Sequence, residues 1–156
     1  MYALVTGASS GIGLQYATVL AEKYKKDLVL VSNQEKELIE VAKDIEAKYG
    51  VKTVTLYKDL STETASQEVY DFCKENNLEI EILINNAGVF YFNDLTLTSE
   101  ARINLMLHLH IRTVTQMCRL FGMDMRERGK GRKLRTSKSC ISRNRAQAKS
   151  KHSRKH

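Results

Sequence analysis

The chain has 156 residues, enough for one domain with a sizeable hydrophobic core. Its formal net charge of +7 is unevenly distributed, since residues 132–156 contain ten Lys and Arg residues and no acidic residue, whereas the other residues carry 15 basic and 18 acidic groups. The three cysteines form no CxxC pair, which argues against a disulfide framework and favours a reducing, cytoplasmic setting.

The first residues, MYALVTG, enter a predicted strand at once. They contain no charged segment followed by a long apolar one, as a secretory signal or a membrane span would. The sequence therefore predicts a cytoplasmic protein without a membrane partner.

Short apolar segments alternate with amphipathic ones over the first half of the chain. The apolar segments, rich in β-branched residues, are YALVT (2–6), DLVLVS (27–32), VKTVTLY (51–57) and IEILIN (80–85). The segments between them place apolar residues three or four positions apart, as helices do. The pattern predicts an α/β fold, with a Rossmann-like parallel sheet covered by helices on both faces.

Residues 103–111, INLMLHLHI, fit two patterns. Alone they alternate apolar and polar residues with a period of two, which is typical of a strand. A longer window shows an apolar stripe with helical spacing, formed by Ile103, Leu107, Ile111, Val114, Cys118 and Phe121. The longer stripe and its place after the fourth strand favour a helix.

The first strand runs directly into TGASSGIG, in which Gly7, Gly11 and Gly13 have the spacing GxxxGxG. Glycine permits a tight turn and lets an anionic group approach the backbone, and the first amides of the following helix favour a phosphate. Ser9 and Ser10 can add hydroxyl donors or cap the helix. The alternative is a plain strand-to-helix turn, but the position after the first strand favours a phosphate site. No Gly-Lys-Ser/Thr follows, which excludes a Walker phosphate loop.

A second motif, NNAG at residues 85–88, follows the fourth strand. Ligands bind at the carboxyl ends of the strands in open parallel sheets. Taken alone the motif could be an ordinary Asn-Gly turn, but together with the glycine motif it indicates a dinucleotide site.

These motifs, together with Asp59 and Leu60 after the third strand and MDMRERGKG at 123–131, make residues 2–131 resemble the short-chain dehydrogenase/reductase family. The resemblance implies a nicotinamide cofactor and NAD(P)-dependent interconversion of an alcohol and a carbonyl. It implies that Asp59 and Leu60 flank the adenine. The other residues that it implies for cofactor binding are Gly7, Ser9, Ser10, Gly11, Ile12 and Gly13 at the pyrophosphate and adenosine side, and Asn86, Ala87 and Gly88 at the nicotinamide ribose.

The residues after the second strand bear on the choice between NAD and NADP. A carboxylate there would bind a ribose 2′-hydroxyl, whereas an arginine would accept a 2′-phosphate. Ser32, Asn33 and Gln34 are neither, so both cofactors stay open with a slight preference for NADP. Asn33 is included as a candidate cofactor contact.

The residues that accompany hydride transfer in the family, a Ser and a Tyr-x-x-x-Lys pair whose tyrosine exchanges a proton, have no match downstream of NNAG. Tyr70 and Lys74 have the right spacing, but they precede NNAG on an amphipathic helix and are expected to be ordinary i,i+4 neighbours. His110 takes the place of the family's active-site asparagine, and Asn104 lies six residues too early. His108 and His110 would point about 200° apart on a helix, which makes a shared metal improbable. We therefore assign no catalytic and no metal-binding residue.

The family's pattern ends at Arg132, where an apolar fifth strand should begin. We therefore expect an NAD(P)-binding domain over residues 1–131, with a sheet truncated after about four strands and an open edge at the fourth. Residues 132–156 are predicted to be a disordered basic tail. A shifted reading frame would produce such a change.

Three functions follow. The first is the N-terminal portion of a short-chain oxidoreductase that lacks its catalytic groups. The second is a dinucleotide-binding module without catalysis. The third is a nucleic-acid-binding protein with a basic tail, which is disfavoured because the tail has no aromatic residue for base stacking, although non-specific binding of polyanions is expected. Uncovered apolar helix surface also predicts association with another chain or a homo-oligomer.

Overall fold

The computed structural model describes residues 1–92 and 94–135. They form a five-stranded sheet in which every pairing is parallel. The strands are β1 Tyr2–Thr6, β2 Asp27–Ser32, β3 Thr53–Tyr57, β4 Ile80–Asn85 and β5 Arg132–Arg135. Their order in the sheet is β3-β2-β1-β4-β5, so the strand order reverses between β1 and β4.

Within the described residues, five α-helices connect the strands and cover both faces of the sheet. They are α1 Gly11–Tyr24, α2 Glu35–Tyr49, α3 Ala65–Glu75, α4 Glu100–Leu107 and α5 Val114–Glu127. A 3-10 helix at Leu95–Leu97 precedes α4, and a π-helical turn at His108–Thr113 joins α4 to α5. None of the helices within residues 1–92 and 94–135 combines the length and the apolarity needed to span a bilayer.

Alternate side chains of the strands enter two separate cores. Ala3 and Val5 of β1 pack against α1 and α2, whereas Leu4 between them packs with residues of α3 and α5 on the opposite face. Because both faces are covered, the strands are apolar almost throughout. The predicted Rossmann-like parallel sheet with helices on both faces is confirmed.

The sheet extends one strand beyond the four that were predicted. β5 pairs with β4 from Ile82 opposite Arg132 to Asn85 opposite Arg135. The expectation that β4 is an open edge and that the sheet ends before Arg132 is therefore corrected. An edge strand bonds through its main chain, so it can pair without the apolar pattern that the prediction required. The predicted disorder, polyanion binding and frame change of the tail beyond Arg135 lie outside the described residues.

The helix predicted for residues 103–111 is confirmed, but its buried side differs from the predicted stripe. Leu107 and Ile111, two members of that stripe, are 51% and 55% exposed. The buried side chains are spaced four apart, at Leu109, Thr113, Met117, Phe121 and Met125. A π-helical turn contains one residue more than an α-helical turn, which changes the side chains that face the sheet. A 3.6-residue periodicity does not anticipate that change.

Apolar side chains are exposed between β4 and α4. Phe90 and Phe92 contact each other edge to face, with ring centroids 4.7 Å apart, and are 70% and 94% exposed. Leu95 and Leu97 of the 3-10 helix are exposed as well. These side chains lie outside the α-helices, so they are not the uncovered helix surface that was predicted beside β4, and the expected association stays a prediction.

Candidate functional site

A cleft opens at the carboxyl edge of the sheet, beside the reversal in strand order between β1 and β4. It receives residues from the ends of four strands and from the π-helical turn. Its lining residues are Gly7, Ser9, Ser10, Ser32, Asn33, Gln34, Lys58, Asp59, Leu60, Asn86, Ala87, Gly88, Val89 and Leu109. Open α/β sheets bind ligands at this position, because the loops diverge there and leave a crevice.

The buried hydroxyl of Thr6 joins the turn after β1 to the turn after β4. Its Oγ1 accepts hydrogen bonds from the backbone amides of Asn86 and Ala87, both at 2.9 Å. The side-chain amide of Asn86 in turn donates to the carbonyl oxygens of Thr6 and Gly7, at 3.1 and 3.3 Å. Asn86 therefore lies in the cleft wall while its amide nitrogen holds the two turns together.

The glycines of the first motif permit close packing below the cleft. Gly7 has a φ of +65°, a backbone conformation that glycine adopts without steric cost. A Cβ atom on Gly13 would lie 2.0 Å from the carbonyl oxygen of Gly7, so only glycine fits at this contact. Gly13 thus fixes the approach of α1 to the turn, beneath the residues that line the cleft.

The start of α1 faces open space. Gly11 has a φ of +54°, and a Cβ atom built on it would have no described atom within 4 Å apart from its chain neighbours and the nearby backbone of α1. Ser10, the residue before the helix, makes no capping hydrogen bond to the described residues through its side chain. The first amides of a helix have no partner within the helix and carry the positive end of its dipole. The turn from Gly7 to Gly13, called the glycine cradle below, therefore fits the phosphates of a dinucleotide.

Three polar side chains form a network at the end of β2. The hydroxyl of Ser9 donates to Oε1 of Gln34 at 2.7 Å and lies 2.8 Å from the hydroxyl of Ser32. A hydroxyl has one hydrogen, so Ser32 is the donor in the second contact. The backbone amide of Gln34 donates to Ser32 Oγ at 3.1 Å. The network orders the wall where the second strand ends, and the exposed Asn33 lies beside it.

The turn after β3 is attached to the π-helical turn. Thr113 donates from its hydroxyl to the carbonyl oxygen of Leu60 at 2.8 Å, and both side chains are buried. Asp59 accepts a hydrogen bond from the backbone amide of Ser61 at 2.9 Å, which directs one carboxylate oxygen into its own turn. His108 adds a contact of 3.1 Å between its Nε2 and the carbonyl oxygen of Thr62.

His110 contacts the second motif from the π-helical turn. Its Nε2 lies 2.8 Å from the carbonyl oxygen of Val89. A Cβ atom on Gly88 would lie 2.5 Å from His110 Cε1, so the imidazole fills the space beside that glycine. His110 therefore packs against the NNAG turn at Gly88 and supports it. Asn104, the other residue compared with the family's active-site asparagine, lies exposed on α4.

Tyr70 and Lys74 lie on α3 and contact α5. The Tyr70 hydroxyl donates to Asp124 Oδ1 at 2.9 Å, and Lys74 Nζ lies 3.1 Å from Asp124 Oδ2. The Tyr70 ring packs edge to face on Phe121, with centroids 5.3 Å apart. Burial, followed by the hydrogen bond to Asp124, raises the pKa of Tyr70 above its usual value. A catalytic tyrosine needs the opposite shift, and neither residue lines the cleft.

The cleft brings together nine of the twelve predicted cofactor residues. Gly11, Ile12 and Gly13 are not among its lining residues: Ile12 is 65% exposed on the first turn of α1, and Gly13 packs against Gly7. Sequence reasoning did not assign Thr6, Lys58, Val89 or Leu109 to the site, and it considered Ser32 and Gln34 only for the choice between NAD and NADP. Most of these are direct neighbours of predicted residues, so the strand ends themselves were a signal for them. Leu109 has no such signal, because its position depends on how the π-helical turn packs.

Comparison with known proteins agrees with this architecture. Residues 1–148 match the family model described as short chain dehydrogenase. A very-long-chain 3-oxoacyl-CoA reductase-B from Danio rerio is 38% identical over 136 residues, which cover 83% of this chain and 42% of that protein. This chain thus spans less than half the length of the curated relatives it matches.

Solved structures of similar fold cover 86% of this chain. A short-chain dehydrogenase from Sphingobium yanoikuyae, in complex with NADPH, has a TM-score of 0.80 at 29% identity, and 52% of it is covered. A bulky-bulky ketone specific alcohol dehydrogenase from Comamonas testosteroni has a TM-score of 0.80 at 28% identity, and 53% of it is covered. The glycine cradle, the NNAG turn and the match over residues 1–148 show that this chain belongs to the short-chain dehydrogenase family.

Proposed function

We propose that this chain is the dinucleotide-binding part of an NAD(P)-dependent oxidoreductase that interconverts an alcohol and a carbonyl. The observation that carries the proposal is the cleft across the ends of β1 to β4, with open space over Gly11 at the start of α1. When bound, a nicotinamide cofactor supplies the hydride chemistry. The residues of this chain bind and orient the cofactor.

Each part of the cleft suits one part of a dinucleotide. The turn from Gly7 to Gly11 and the first amides of α1 would hold the pyrophosphate. Asp59 and Leu60 would flank the adenine. Ala87 and Gly88, which Thr6 and His110 hold in place, would contact the nicotinamide ribose. Similar structures were solved in complex with NADPH, with NADP or with 5-hydroxy-NADP, which supports this assignment.

The similar proteins suggest acyl thioesters as the class of substrate. Proteins named very-long-chain 3-oxoacyl-CoA reductase from several vertebrates are 33–38% identical to this chain. We therefore propose a 3-oxoacyl thioester, whose ketone is β to the thioester carbonyl, as the first substrate to assay. The ketone would take up a hydride from the reduced nicotinamide and a proton to give the 3-hydroxy product.

The proposal is tested by measuring how tightly the chain binds reduced dinucleotide when either of two glycines is replaced by alanine. Gly11→Ala adds a methyl group in open space at the start of α1, while Gly50→Ala causes similar backbone strain at the end of α2, away from the cleft. We expect Gly11→Ala to weaken binding of reduced dinucleotide by about tenfold, equivalent to about 1.4 kcal/mol, and Gly50→Ala to leave it unchanged. Nicotinamide fluorescence on titration measures both. If the wild-type chain binds neither NADH nor NADPH, or if both variants bind equally, the proposal fails.

A second candidate is dinucleotide binding without turnover. It is favoured by the position of Tyr70 on α3 and by the absence of a tyrosine from the lining of the cleft within the described residues. A turnover assay with a 3-oxoacyl thioester separates the two candidates. Tight binding of NADPH with no loss of reduced-nicotinamide absorbance supports the second, whereas steady oxidation supports the first.

A further inference from the structure

One cation lines the cleft. Among the cleft residues that the structure describes, Lys58 is the only Lys or Arg and Asp59 the only carboxylate. Asp59 directs one of its oxygens to the backbone amide of Ser61. Lys58 comes directly after β3, and its backbone amide donates to the carbonyl oxygen of Ser32 at 2.9 Å. Its main chain therefore lies beside the end of β2.

The neighbouring wall after β2 is neutral. Ser32, Asn33 and Gln34 stand where a carboxylate would accept a hydrogen bond from a ribose 2′-hydroxyl and repel a 2′-phosphate. Two of them are already engaged with Ser9 in the hydroxyl network. These three residues carry no charge, so they neither repel nor attract the 2′-phosphate of NADP. A charge that attracts this phosphate would therefore come from a neighbouring residue.

The Lys58 ammonium group is paired with a carboxylate that a bound phosphate could replace. Its Nζ forms an ion pair with Oε2 of Glu68 on α3, and the other oxygen of that carboxylate accepts a hydrogen bond from Thr64. The hydrogen bond from Lys58 is the main reason why the pKa of Glu68 lies below its usual value. Both side chains are partly exposed, and ion pairs of this kind contribute little to stability. A phosphate, with more charge and more acceptor oxygens, can displace the carboxylate.

We propose that Lys58 makes the cleft prefer a 2′-phosphorylated dinucleotide, and that Glu68 competes for its ammonium group when no such nucleotide is bound. This inference rests on the proposed dinucleotide binding. It assigns cofactor preference to a residue after the third strand, rather than to the residues after the second strand where the preference is usually sought.

The test compares the dissociation constants of NADPH and NADH for the full chain, measured by nicotinamide fluorescence at fixed ionic strength. Lys58→Gln should weaken NADPH binding by about tenfold or more, the loss of one charge-assisted hydrogen bond, and change NADH binding by less than about twofold. Lys58→Arg should retain most of the preference, because it keeps the charge. Glu68→Gln should tighten NADPH binding severalfold and leave NADH unchanged, because the ammonium group is released.

A matched control is Lys26→Gln. Lys26 forms an ion pair with Glu81 at similar exposure, but it precedes β2 at the opposite edge of the sheet. It should alter neither constant. The inference is overturned if Lys58→Gln weakens both nucleotides equally, if the wild type binds the two equally well, or if Glu68→Gln weakens NADPH. If the wild type binds neither nucleotide, the proposed function itself fails.

Discussion

Two clusters of polar side chains hold this molecule together in different ways. At the carboxyl edge of the sheet, the Thr6 hydroxyl accepts hydrogen bonds from the amides of Asn86 and Ala87 and fixes two turns that line the cleft. Between α3 and α5, Tyr70 and Lys74 both bond to Asp124. The first cluster joins two turns whose residues line an open cleft, whereas the second uses its polar groups to join two helices.

The difference shows why residue spacing alone is weak evidence of chemistry. Tyr70 and Lys74 have the spacing of a catalytic pair, yet their helix lies on a face of the sheet and their partner is a carboxylate. The residues around Thr6 include no obvious catalytic group, yet they lie where parallel strands end beside the reversal in strand order. Position in the topology decides which of two polar clusters meets a ligand.

The largest expected effect comes from Thr6→Val, which keeps the shape of the buried side chain and removes its hydroxyl. Two backbone amides then lose their acceptor, at about 1–3 kcal/mol for each buried unsatisfied group. We expect the free energy of unfolding to fall by about 3 kcal/mol, measured by urea titration, and dinucleotide binding to weaken because the NNAG turn is released.

Thr6→Ser is the control for that change, because it retains the hydroxyl and loses one methyl group. It should lose far less stability than the valine variant and bind dinucleotide almost normally. Equal losses in the two variants would show that packing of the methyl group, and not the hydrogen bonds, holds the two turns together.

The strands were predictable because they are buried on both faces. Segments such as DLVLVS contain few polar residues, and their short length and β-branched residues favour a strand that is buried on both faces. The two motifs then located the cleft, because the ends of neighbouring parallel strands must meet at one edge. Prediction was less successful where the main chain decides the structure. β5 pairs through backbone groups, which every residue except proline provides in full, and its sequence RKLR gave no apolar signal.

The environment of His110 also lay beyond prediction. In sequence, His110 is 21 residues from Val89, and the contact between them depends on the π-helical turn, which changes the side chains that face the sheet. Residues 103–111 alternate polar and apolar side chains, which taken alone suggested a strand, whereas the longer window suggested an ordinary helix. Neither pattern includes the extra residue per turn, so the support that His110 gives to Gly88 emerged only in three dimensions.

A smaller effect is expected from Tyr70→Phe, which tests the other cluster. The variant loses the hydrogen bond to Asp124 and keeps the ring that packs on Phe121. We expect about 1 kcal/mol less stability by urea titration and no change in dinucleotide affinity. Tyr49→Phe, where the ring packs on the α1 and α2 face, is the matched control. A fall in dinucleotide affinity on Tyr70→Phe would connect α3 to the cleft and remove the distinction between the two clusters.

The smallest effect is a pH dependence of stability that belongs to the Tyr70 cluster. Burial and then Asp124 raise the pKa of Tyr70, while the hydrogen bond from Lys74 to Asp124 is the main reason why the pKa of Lys74 is raised. A group with a raised pKa in the folded state stabilises that state below its unfolded pKa, and the contribution is lost as pH rises through the folded value. The wild type should therefore lose stability at alkaline pH. Burial raises the pKa of the Cys73 thiol to about 12, so its share is lost from about pH 9 upward, and the share of Tyr70 follows from about pH 10, where an unfolded tyrosine begins to ionise. Tyr70→Phe should lose less over the same range, because it keeps the shares of Cys73 and Lys74 and lacks that of Tyr70. Free energies of unfolding from urea titrations at neutral pH and at about pH 11 measure the difference. An equally steep loss in Tyr70→Phe and Tyr49→Phe would contradict this origin, since the alkaline loss would then come from residues outside the α3 and α5 cluster.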